Sequence, residues 1–159
     1  MNLVNSPKGA VALFRQIAAS ALLPVEVVFS GEITTSLVDK PATSPRVGGK
    51  VKDFYLSVKH CGTDITNTLA VSGECYINGT TCLTTQPIIG AVSGEDSSAK
   101  TTKVTGDTAI QQAVVDTTAN IFTPGDIISV TAFLQRTASP VTEMSNLIAV
   151  IELEPGEAT

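Results

Sequence analysis

Apolar side chains recur at helical spacing near the start of the chain and at every second position thereafter. Ala10, Leu13, Phe14, Ile17, Ala18, Ala21 and Leu22 fall on one side of a 3.6-residue repeat, with Lys8, Arg15, Gln16 and Ser20 off it. Ser6-Pro7 supplies a cap and a first-turn proline, and Pro24 forbids continuation. The pattern predicts a short amphipathic helix over 7–22. After Pro24 the period is two. Val25, Val27 and Phe29 alternate with Glu26, Val28 and Ser30. Phe54, Leu56 and Val58 alternate with Asp53, Tyr55, Ser57 and Lys59, while Leu69, Val71, Cys75 and Ile77 share one face. Ile128, Val130, Ala132 and Leu134 do the same, and the last run sets Leu147, Ala149, Ile151 and Leu153 against Ile148, Val150, Glu152 and Glu154.

Turn signals separate these runs. Residues 34–49 carry two prolines, two glycines and several hydroxyls and read as a loop; 93–107 read as an exposed polar excursion. AIQQAVVD and TANIF are weaker strand candidates, and Thr123-Pro124-Gly125-Asp126 fits a type II turn. About eight short strands with no interleaved helices predict an all-β fold. The expected form is an antiparallel β-sandwich of jelly-roll type with a short N-terminal helix. The chain divides into an arm, 1–24, and a sandwich domain, 25–159. Ile148 and Val150 are apolar on the second face of the last strand, so something covers them: the N-terminal helix or another subunit.

Asn78-Gly79, flanked by Cys75 and Cys82, is the strongest hairpin signal in the chain, because both residues accept positive φ. A two-residue loop sets Ile77 opposite Thr80, Tyr76 opposite Thr81 and Cys75 opposite Cys82. That face also carries Leu69 and Val71, so both thiols point inward as small apolar groups. A disulfide and a metal clip are the alternatives; a zinc site would need two further ligands nearby.

Composition narrows the function classes. Only 16% of the 159 residues are charged, threonine takes over much of the polar surface, and net charge is -5. No Lys/Arg cluster exists to grip a phosphate backbone, so nucleic-acid binding is not expected. Aromatics make up 4% and tryptophan is absent, which argues against a stacking platform for sugars or bases. No segment reaches the roughly 18 apolar residues needed to span a bilayer. Arg15 interrupts the N-terminal apolar run after AVALF, so no cleaved signal is expected. His60, the only histidine, adjoins Cys61, but neighbouring strand residues point to opposite faces. With no GxSxG, Walker, GxGxxG or HExxH motif, no catalytic residue, cofactor or metal ligand is expected.

Two stretches, VKDFYLSVKHCGTDITNTLAVSGECYINGTTCL and FTPGDIISVTAFLQRTASPVTEMSNLIAVIELEP, resemble jelly-roll proteins of tailed-bacteriophage virions in layout. A PGD-type turn feeds the penultimate strand, and the last strand ends in apolar-acidic alternation. The resemblance implies a decoration or cement protein on the outer capsid surface. Its partners would be the major capsid protein and copies of itself, most often as a trimer. The candidate contact residues are Leu13, Phe14, Ile17 and Leu22 of the arm, Arg46 in the 34–49 loop, and Ile148 and Val150 of the last strand. A carbohydrate- or ligand-binding β-sandwich module, of fibre or adhesin type, is the alternative.

Overall fold

The computed structural model describes residues 23–66, 68–93, 97–136 and 140–156. The helix expected over 7–22, and with it Leu13, Phe14, Ile17 and Leu22, lies outside them. The strands are β1 (Leu23–Glu32), β2 (Leu37–Thr43), β3 (Gly49–His60), β4 (Ala70–Ile77), β5 (Thr80–Thr81), β6 (Leu83–Thr85) and β7 (Ile88–Gly90). They continue with β8 (Lys100–Thr101), β9 (Ile110–Gln111), β10 (Val114–Val115), β11 (Ile121–Phe122), β12 (Ile128–Gln135) and β13 (Ser145–Pro155). The described residues contain no helix, and the fold is all-β.

Every pairing is antiparallel. Sheet A runs β1-β13-β3-β11 with β8 added to β3; sheet B runs β2-β12-β4-β7-β9 with β5 added to β4; β10 pairs with β6. The inward positions are those the alternation predicts, with Val51 added out of phase by a register shift between Glu152 and Leu153. Val27, Phe29, Val51, Phe54, Leu56, Leu147, Ala149 and Ile151 from sheet A join Val71, Cys75, Ile128 and Val130 from sheet B in one buried cluster. Apolar area withdrawn from water here stabilises by about 25 cal/mol per Å2. The sheets touch closely where β4 has no side chain: a Cβ on Gly73 would lie 2.9 Å from Leu56 Cδ2 and 3.0 Å from Phe54 Cε1.

Two expected loops contain strands. Within 34–49, Leu37–Thr43 pairs with β12 at the edge of sheet B. Pro41 sits in it because an edge strand needs only one row of hydrogen bonds, and the register shifts on either side of it. Within 93–107, Lys100–Thr101 pairs with β3. Lys100 is buried there, its ammonium donating to the Gly90 and Thr108 carbonyls at 3.1 and 3.0 Å. Hydropathy misreads such a lysine because backbone oxygens replace its water. The first strand also starts earlier than the period suggests, at Leu23, with Pro24 tolerated on the edge of sheet A.

Candidate interaction surface

Three segments meet at one end of sheet A and form a groove of about 590 Å3: Arg46–Lys50, Ile121–Pro124 and Glu154–Gly156. Backbone geometry brings them together. Pro155 stands opposite Gly49 in the β13–β3 register, and the Gly156 amide donates to Gly48 O at 2.9 Å. A Cβ on Gly49 would lie 2.4 Å from Glu154 O, so only glycine lets the end of β13 pass this close. The Gly125 amide donates to Pro45 O at 2.9 Å and ties the Ile121–Pro124 wall to the Arg46–Lys50 wall. Phe122 fills the floor at 2% exposure, while Val47 and Ile121 stand 50% and 69% exposed. Lys50 and Lys52 reach Glu154 at 3.4 and 3.8 Å; Arg46 is exposed on the rim.

Turn chemistry makes this end rigid. Asn78 and Gly79 have φ of 51° and 80°, as a two-residue hairpin demands. Thr123–Asp126 forms the expected turn: Asp126 N donates to Thr123 O at 3.2 Å, and Gly125 has φ of 91°. Asp126 Oδ2 accepts from the Thr123 amide and hydroxyl, and Asp126 Oδ1 accepts from Asn78 Nδ2. Hydrogen bonds from the Thr123 amide and the Asn78 side chain outweigh desolvation and hold the Asp126 carboxyl below the usual range.

The expected contact residues do not converge. Arg46 lies on the groove rim, whereas Ile148 and Val150 are on the outer face of sheet A, Ile148 half-buried and Val150 5% exposed. Val47, Ile121, Pro124 and Pro155 are not among the contact residues the sequence suggests; an apolar Val47 between Arg46 and Gly48-Gly49 in a polar loop is the available signal.

Chemically distinctive groups are spent on structure. The Asp64 carboxylate accepts from the amides of Thr66, Thr68 and Leu69 and from both threonine hydroxyls. Desolvation opposes its charge, but these donors prevail and hold the carboxyl far below the ordinary range. Glu74, buried on sheet B, accepts from the Cys75 amide, Thr81 Oγ1 and Gln86 Nε2. Lys103 lies 2.7 Å from both Asp53 and Glu152; burial works against its charge, the two carboxylates outweigh it, and its pKa rises.

Cys61, Cys75 and Cys82 are free, buried thiols. The Cys82 amide donates to Cys75 O at 2.9 Å, so the pair faces as the hairpin register predicts. The hydrogen bond with the Cys82 thiol, burial and the neighbouring Glu74 push the Cys75 thiol up. His60, the last residue of β3, is exposed, while Cys61 just past the strand end is 1% exposed. Among the described residues no group of three or more His, Cys, Asp or Glu is placed to hold a metal ion, and no helix is long and apolar enough to cross a membrane.

No protein-family model matches the chain, and neither a curated protein nor a solved structure matches it.

Proposed function

We propose that this chain is a structural virion protein. In this reading it is a β-sandwich of jelly-roll type that decorates the outside of a tailed-phage capsid and stabilises it through contacts with the major capsid protein and with its own copies, most simply as a trimer. The observation that carries the reading is the groove end of sheet A. There Val47 and Ile121 remain largely exposed on a frame held by glycine-permitted backbone contacts and two latched turns. Exposed apolar side chains on a rigid frame suit docking to another protein surface. Arg46 on the rim adds a cation that an acidic partner would meet. Two antiparallel sheets contributing to one core support the sandwich architecture.

A glycan-binding module gains less from the same groove. Its aromatic side chain, Phe122, is 2% exposed and offers no stacking face. Light scattering combined with capsid sedimentation tests the proposal. The expected result is a particle of three times the 16.5 kDa chain mass, together with co-sedimentation with tailed-phage capsids stripped of their decoration protein. A monodisperse monomer that stays in the supernatant would overturn it.

A further inference from the structure

The outer face of sheet A carries a second apolar surface. Val28 on β1 and Ile148 on β13 are cross-strand partners, pointing away from the core that Val27, Phe29, Leu147 and Ala149 enter. Val28 is 50% exposed, and Val150, on the same face, is buried. Towards β3 this face is walled: Ser57 Oγ donates to Thr101 Oγ1 at 2.9 Å, and Lys103 Nζ lies 4.7 Å from the centre of the Tyr55 ring. Along β1, Glu26 and Glu32 are exposed, with no cation at ion-pair distance among the described residues.

We propose that residues 1–22 of the same chain cover this face, seating Leu13, Phe14 and Ile17 over Val28 and Ile148. The inference stands apart from the virion reading. Three observations carry it. First, the segment enters the structure at Leu23, the first residue of the edge strand of this sheet. Val28 lies about 17 Å further along that strand at roughly 3.3 Å per residue, and a helix over 7–22 would be about 24 Å long. The segment therefore reaches the patch without leaving its own subunit. Second, a tether this short gives an effective concentration on the order of millimolar, which favours the chain's own face over a neighbour's. Third, residues 1–22 contain Lys8 and Arg15 and no acidic residue, whereas Glu26, outward on β1 opposite Val150, is exposed; Lys40 at this edge is taken up by the Val28 carbonyl, at 3.1 Å, and the Phe29 ring. Apolar complementarity holds the segment and charge orients it.

The test uses the full chain with Ala12→Cys bearing a nitroxide label; the three native thiols are buried and escape labelling. Methyl NMR is expected to show the Val28 and Ile148 signals losing at least half their intensity, while Val47 and Ile121, at the groove end of sheet A, stay sharp. Adding Val28→Lys is expected to restore the Ile148 signal, and Phe14→Asp, which leaves the sheet untouched, to restore both. In a mixture of nitroxide-labelled chain and isotope-labelled chain the same signals stay sharp. Undiminished Val28 and Ile148 signals in the labelled chain would overturn the proposal. Broadening confined to the mixture would overturn it as well, by assigning the covering segment to a neighbouring copy. Failure to bind capsids would leave these spectra unchanged, so the two proposals fail separately.

Discussion

Asn78 and Asp126, 48 residues apart in sequence, join two turns into one unit: the Asn78 side-chain amide donates to Asp126 Oδ1 at 2.7 Å. The link is reciprocal, since Asn78 Oδ1 accepts from the Ile127 amide at 2.9 Å and the Asn78 amide donates to Ile127 O at 2.8 Å. Either turn alone follows from local conformational preference. The latch between them holds β12 and the β4–β5 hairpin together beside the groove.

Asn78→Ala removes both side-chain bonds and puts a Cβ residue without a compensating polar group at φ of 51°. It is expected to destabilise by about 1–2 kcal/mol. Asn78→Gly relieves the backbone cost alone and recovers part of that loss. Urea unfolding of the three proteins checks the order.

Gly49→Ala drives a Cβ to 2.4 Å from Glu154 O, a backbone atom that cannot swing aside. The expected cost is about 1–3 kcal/mol. Gly79→Ala serves as the comparison, since it meets no atom within 4 Å and suffers only from its φ of 80°. Thermal melts of both variants separate crowding from backbone strain.

Asp64 makes stability depend on acid. Its folded pKa is lowered from the ordinary 3.8, so its contribution is complete above that value and is lost as pH falls below it towards the folded pKa. Asp116 and Asp126 are shifted the same way and add to the effect. Urea midpoints are expected to be level from pH 7 to about 5 and to fall below about pH 4. Asp64→Asn lowers the midpoint at pH 7 and flattens the acid limb.

Thiol accessibility follows from burial. A colourless aromatic disulfide that releases a coloured thiolate is expected to titrate no cysteine in the native chain and three after denaturation. Cys75→Ala leaves a small cavity between the sheets and is expected to cost about 1–2 kcal/mol, read from urea unfolding.

Ile121→Asp tests the groove end. The side chain is 69% exposed, so folding stability is expected to change by no more than about 0.5 kcal/mol. Self-association and capsid retention are expected to weaken at least tenfold, measured by light scattering and sedimentation.

The alternation at Phe54, Leu56 and Val58 and at Leu147, Ala149 and Ile151 predicts both strands and their buried faces, because period two survives wherever one face alone is covered. The Asn-Gly and Pro-Gly-Asp turns were equally legible, since their backbone preferences are local. β2 and β8 were not, because each is held by a neighbour remote in sequence. Pro41 is acceptable only at an edge, and Lys100 is buried where the Gly90 and Thr108 carbonyls face it. The candidate surface divides along the same line. Arg46 can be picked out as a rim cation from its proline-rich loop. The groove behind it exists because β13 and β11 both pair with the start of β3, bringing Gly49, Phe122 and Pro155 together. Sequence alone determined the period, the turns and the inward faces, which depend on a residue and its near neighbours. Tertiary structure decided which edges pair and where apolar side chains stay in solvent, because those depend on contacts between segments that sequence distance does not specify.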